Sequence, residues 1–153
     1  MDTWQTTILD ERDRYYRLAY SYVKNEHDAL DIVQDALYNA LKSYKKLRDP
    51  EAIKTWFYRI VVNTSLNYIK KNKRLVYLDD AEWAAIPDES EISDRSLREA
   101  VDLLPPKDKT VIVLRFFEDM KISDIAAVLR ENENTVKTRL YAALNKLRVS
   151  EAV

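Results

Sequence analysis

The chain has 153 residues, 46% hydrophobic and 33% charged, with 25 basic and 26 acidic side chains and a net charge of −1. That is length enough for one sizeable core or two small ones, and too apolar a composition for global disorder. With no cysteine, no glycine and a single histidine, it excludes disulfide frameworks, thiolate zinc sites, phosphate-binding glycine loops, dinucleotide fingerprints, nucleophile elbows and histidine triads. A non-enzyme without metal or cofactor is expected. The N-terminal stretch MDTWQTTILDERDR is too acidic and polar for a signal peptide, and no apolar run approaches the ~18 residues of a membrane span. A reducing cytoplasm fits.

In chain order, the 3-4 spacing of Tyr15, Leu18, Ala19, Tyr22 and Val23 predicts a first helix. Asn25 caps a second, with Asp28 three residues on and His27 in its first turn. Ala29, Ile32, Val33, Ala36, Leu37, Ala40, Leu41 and Tyr44 form its apolar stripe. Asp49-Pro50, a cap followed by proline, opens a third helix running to about Asn72. Within it lies KTWFYRIVVNTSLNYIKKNKR (54–74), with four aromatics, six basic residues and no acid.

The stretch LDDAEWAAIPDESEISD (78–94) is dense in acids and lacks sustained periodicity, which reads as a linker. It serves either as a solvated tether or as a segment that repels or mimics nucleic acid. Charge follows the same division. Residues 1–78 carry 14 basic and 10 acidic side chains, 79–102 carry 2 and 9, and 103–153 carry 9 and 7.

Beyond the linker, a helix near Asp94–Leu103 stops at Leu104-Pro105-Pro106, and another runs from Pro106 to about Glu118. Ile122–Leu129, a three-residue joint, and a longer helix capped by Asn132 then form a pair. Val136, Leu140, Ala143, Leu144 and Leu147 face inward in the longer helix, while Asn134, Thr135, Lys137, Thr138 and Tyr141 face outward with Arg139 at the margin. The pattern is that of a helix-turn-helix, and equally of an ordinary helical hairpin with a solvated face.

LPPKDKTVIVLRFFEDMKISDIAAVLRENENTVKTRLYAALNKLR (104–148) strongly resembles region four of the extracytoplasmic-function sigma factors of the sigma-70 family. YRLAYSYVKNEHDALDIVQDALYNAL (16–41) and IKTWFYRIVVNTSLNYIKKNKR (53–74) resemble their region two. Among subgroups, SYVKN, ALDIVQ, RFFED and NTVKTRLY resemble the sigma-V type.

The resemblance implies an all-α protein of two small helical domains. Region two (1–78) would be joined by the acidic linker (79–93) to region four (94–153). It implies an alternative sigma factor that directs core RNA polymerase to promoters, in a cell-envelope stress response, held by a membrane-anchored anti-sigma factor and not itself membrane-inserted. Region two would hold the melted non-template strand of the minus-ten element through Lys54, Trp56, Tyr58, Arg59, Asn63, Lys70, Lys71, Lys73 and Arg74. Positive grooves and aromatic faces suit single strands, each stacked base contributing about 1–3 kcal/mol. By core spacing Phe57 belongs to the interior, and Trp56 suits either packing or strand contact. The joint Leu47–Ile53 matches the loop that captures a flipped base.

Asp28, Asp31, Gln34 and Asp35 match the polymerase-docking surface. Arg115, Asn134, Thr135, Lys137, Thr138, Arg139 and Tyr141 match contacts to the minus-thirty-five duplex, with Lys137 and Arg139 assigned to phosphate and Thr138 and Tyr141 nearer the bases. Two positions depart from the family: Arg130 stands where glycine is usual in the turn, and Ala142 where a basic residue is usual. The rival classes are a stand-alone helix-turn-helix regulator, which needs no strand-holding module, and a helical adaptor that touches no nucleic acid.

Overall fold

A computed structural model describes residues 3–47, 49–72, 80–85 and 97–150. These fold into two compact units, one on Met1–Leu75 with Ala127–Leu129 and one on Val76–Ala126 with Arg130–Val153.

The first unit contains α1 (Thr3–Asp10), α2 (Arg12–Val23), α3 (Glu26–Ser43) and α4 (Ile53–Asn72). Helices α2, α3 and α4 pack against one another, and α1 packs on α4. The predicted faces close the core: Tyr15, Leu18, Ala19, Tyr22, Ala29, Ile32, Ala36 and Ala40 are all buried. Small alanines on α3 let its neighbours approach, and aromatic rings join α2 to α4. Tyr15 meets Phe57 and Tyr58 edge-on, with ring centroids 4.6 and 4.9 Å apart. Such pairs add about 0.5–1.5 kcal/mol each beyond the area they bury.

The start of α3 is fixed as its sequence predicts, the Asp28 amide donating to the Asn25 side chain at 2.8 Å. Two features differ from expectation. Helix α1 lies in a stretch whose polar residues mask an i, i+4 pair, Trp4 and Ile8. Leu41 is expected in the apolar stripe but is 52% exposed, because the buried line runs through Ala29, Ile32, Ala36 and Ala40 and leaves the Val33–Leu37–Leu41 line at its margin.

The second unit contains α5 (Asp80–Ala85), α6 (Leu97–Leu103), α7 (Pro106–Ile112), α8 (Ile122–Leu129) up to Ala126, and α9 (Glu133–Ser150). Helix α5 falls within the stretch read as linker, and its Trp83 is buried; residues 86–96 lie outside the described residues. Helices α6 and α7 pack on α9 and on each other. Leu104, Val111, Leu114, Ile125, Val136 and Ala143 are buried. Pro106 occupies the first turn of α7, where its missing N–H leaves nothing unpaired. The expected helix to Glu118 instead loosens into a wide π-type turn at Val113–Phe117, closed by Glu118 N–H donating to the Val113 carbonyl at 3.0 Å.

Among the described residues, three turns reach the left-handed region without glycine: Lys24 (φ 59°), Asp119 (φ 55°) and Arg130 (φ 55°). Arg130 ends α8, and Glu131 N–H donates to the Ala126 carbonyl at 3.0 Å. The turn therefore keeps the geometry that glycine usually serves, at a steric cost on the order of 1–2 kcal/mol.

Candidate nucleic-acid interface

Helix α4 presents an uneven face. Lys54, Asn63, Lys70 and Lys71 are exposed, and Arg59 is half-buried. Lys54 pairs with Glu11 at 3.2 Å, a solvated contact that a phosphate can displace. Lys73 and Arg74 lie outside the described residues.

The aromatics of this helix divide. Phe57 is fully buried, as its spacing predicts. Tyr58, expected on the strand-holding face, is 4% exposed and sits edge-on to Tyr15. It is a core residue, because α4 is covered on more than one side and the ring falls between α4 and α2. Trp56 is half-buried, edge-on to Trp4 at 6.1 Å, while Trp4 stacks on Tyr44 at 4.9 Å. Packing and exposure thus share one ring. The Trp4–Tyr44–Trp56 cluster was missed in the sequence, where only the Trp4/Ile8 spacing signals that Trp4 turns inward.

Ahead of α4, the Asp49 side chain accepts from the Glu51 amide at 3.0 Å and holds a single tight turn at Pro50–Ala52. Arg48 in this joint lies outside the described residues.

On α3, the four residues matched to polymerase docking separate by environment. Gln34 and Asp35 are exposed and Asp31 half-exposed, on the side away from the core. Asp28 is 6% exposed. Its carboxylate accepts from the Tyr68 hydroxyl at 2.5 Å and the Asn25 amide at 2.8 Å. It ties the start of α3 to α4 and offers little surface to a partner, so it leaves the docking set. The ligating atoms of His27, Asp28 and Asp31 lie within 4.8 Å of one another, but the Asp28 oxygens are already engaged. Leu30, Tyr38 and Leu41, at 48%, 61% and 52% exposure, flank Gln34 and Asp35 on the same helix.

On α9, the Asn132 side chain accepts from the Thr135 amide at 2.7 Å, so the predicted cap fixes where the helix begins. Asn134, Lys137, Thr138, Tyr141 and Ala142 are exposed, with Thr135 and Arg139 partly so. Arg139 pairs with Glu131 at 3.0 Å. A groove of about 560 Å³ runs along this face, lined by Thr135, Thr138, Arg139, Ala142, Lys146 and Asp108 among others. Asp108 and Lys146, neither singled out in the sequence, pair there at 2.7 Å. Arg115 stands apart from α9: its guanidinium donates to the Met120 carbonyl at 3.3 Å and lies 5.7 Å from the Phe116 ring centre. It braces the turn that precedes α8.

Known proteins share this arrangement. The family Sigma-70 region 2 matches residues 7–75, and the family Sigma-70, region 4 matches residues 94–147. The RNA polymerase sigma factor SigV of Bacillus subtilis is 49% identical, the alignment covering 94% of this chain and 88% of the relative. The ECF RNA polymerase sigma factor SigW of the same organism is 30% identical, over 90% and 82%. Among solved structures, the sigma factor RpoE bound to the anti-sigma factor NepR from Bartonella quintana shares the fold, with a TM-score of 0.75 at 20% identity over 100% of this chain and 99% of that one. CnrH, in complex with the cytosolic domain of CnrY, does so with a TM-score of 0.69 at 21% identity, over 94% and 84%. A stand-alone helix-turn-helix regulator has no place for the region 2 match. The chain belongs to the extracytoplasmic-function sigma factors of the sigma-70 family, alternative sigma factors that direct RNA polymerase to promoters.

Proposed function

We propose that residues 1–78 dock on core polymerase and hold the melted non-template strand, and that residues 94–153 read the minus-thirty-five duplex, with 79–93, which carries α5, joining the two. The observation that carries this reading is the acid-free α4, which turns Lys54, Asn63, Lys70 and Lys71 to solvent while its apolar side is locked in the core. An acid among these side chains would repel a phosphate backbone; Asn63 and Lys70, seven residues apart, share one face with Lys71 beside it, so the C-terminal half of the helix suits a strand.

Docking on polymerase falls to Asp31, Gln34 and Asp35. The exposed Leu30, Tyr38 and Leu41 beside them support it, since acids flanked by solvent-facing apolar side chains suit a partner that is both basic and apolar. On α9, Lys137 and Arg139 take phosphate, and Thr138 and Tyr141 take base edges, with Asn134 and Thr135 at the helix start and Arg115 bracing the turn. No described helix is long and apolar enough to cross a membrane. The protein works in the cytoplasm, under the control of a membrane-anchored anti-sigma factor, in a cell-envelope stress response. The complex of the sigma factor RpoE with the anti-sigma factor NepR supports an anti-sigma partner.

The test is permanganate footprinting of unpaired thymines by holoenzyme on a cognate promoter. Lys70→Ala with Lys71→Ala should lower thymine reactivity around the minus-ten element and leave closed-complex affinity near that of the parent. An unchanged footprint would remove α4 from strand holding.

A further inference from the structure

The duplex-reading face of α9 carries its basic side chains in an unusual state. Two of them, Arg139 and Lys146, line the groove, and each is held by an acid of the same unit. Lys146 meets Asp108 at 2.7 Å with both side chains 16% exposed. Arg139 meets Glu131 at 3.0 Å with 24% and 30% exposure. Asp108 lies on α7, thirty-eight residues from Lys146, and itself lines the groove beside Thr138 and Ala142. The methyl of Ala142, one turn before Lys146, adds no charge there.

A cation already paired to a carboxylate releases no counterion from DNA until that pair opens, and a carboxylate on a duplex-facing groove repels phosphate. We infer that Asp108 and Glu131 are attenuators of promoter affinity: each masks a phosphate-binding cation of α9, so the region four module grips duplex DNA less tightly than its basic residues allow. This rests on the reading of α9 as the duplex-contacting helix. Duplex phosphate displaces the carboxylates when the module seats, and the energy of opening both pairs is subtracted from binding. Phosphate contacts carry no sequence information, so the attenuation falls equally on cognate and unrelated DNA.

The experiment measures closed-complex affinity of holoenzyme on a duplex promoter across a salt series, for the parent, Asp108→Asn, Glu131→Gln and Lys137→Ala. Thermal unfolding of each free chain is followed in parallel. One added phosphate contact steepens the log–log salt slope by about 0.9 and raises affinity about threefold toward the low end of the salt range. Asp108→Asn and Glu131→Gln should each show that gain, equally on a promoter with a scrambled minus-thirty-five element. Lys137→Ala should show the reverse change in slope. If neither acid variant gains affinity while Lys137→Ala flattens the slope, attenuation is refuted and the duplex-reading role of α9 stands. If Lys137→Ala also changes nothing, that role falls and the inference with it. Should Asp108→Asn unfold, Glu131→Gln, on the more exposed pair, decides.

Discussion

The two helices that carry the candidate DNA contacts, α4 and α9, are built on different terms. Helix α4 is gripped by α1, α2 and α3, and its aromatics are divided between the interior and the surface. Helix α9 packs on α6 and α7 and leaves Lys137, Thr138, Tyr141 and Ala142 in solvent. A helix covered on several sides has apolar residues around most of its circumference, so spacing cannot distinguish a ring that packs from a ring that waits for a base. A helix covered on one side shows its outward residues directly in its period.

The same contrast runs through the acids of α3. Asp28, Asp31 and Asp35 are spaced as if equivalent, yet one is a buried tie to Tyr68 and two face outward.

The largest expected effect tests the outward acids. Asp31→Arg with Asp35→Arg should abolish co-elution with core polymerase, while unfolding free energy moves by only about 0.5 kcal/mol, as is usual for surface substitutions. Normal holoenzyme formation by this variant would strike both residues from the docking surface.

Next comes Tyr58→Ala. Loss of a buried ring should destabilise the first unit by about 3–5 kcal/mol, lowering polymerase binding and promoter melting together. A stable variant with a selective melting defect would return Tyr58 to the strand-holding face.

Trp56→Ala sharpens the comparison from the other side. Half burial and one edge-on ring contact predict a loss of about 1–3 kcal/mol, smaller than for Tyr58, together with weaker permanganate reactivity in variants that still form closed complexes. Full stability with intact melting would give this ring neither role.

The smallest effect is a gain. Arg130→Gly relieves a left-handed residue and should raise stability of the second unit by up to about 1 kcal/mol, less the entropy glycine adds to the unfolded chain. Calorimetry reads it as a rise in Tm with DNA affinity unchanged. A fall in Tm would mean that Arg130 contributes more through its side chain than its backbone loses.

The sequence by itself determined the all-helical class, the caps at Asn25, Asp49 and Asn132, the core faces of α2 and α9, and the outward set Asn134, Lys137, Thr138 and Tyr141. These depend on local hydrogen bonds and on a 3.6-residue period, both written within a dozen residues of chain. Tertiary structure alone decided that Tyr58 is interior, that Trp56 leans on Trp4, that Asp28 serves Tyr68 forty residues away, and that Asp108 faces Lys146 across the groove. Each of these joins residues far apart in sequence, and whether a side chain is buried or ion-paired depends on the neighbour that the fold brings to it, which no local period records.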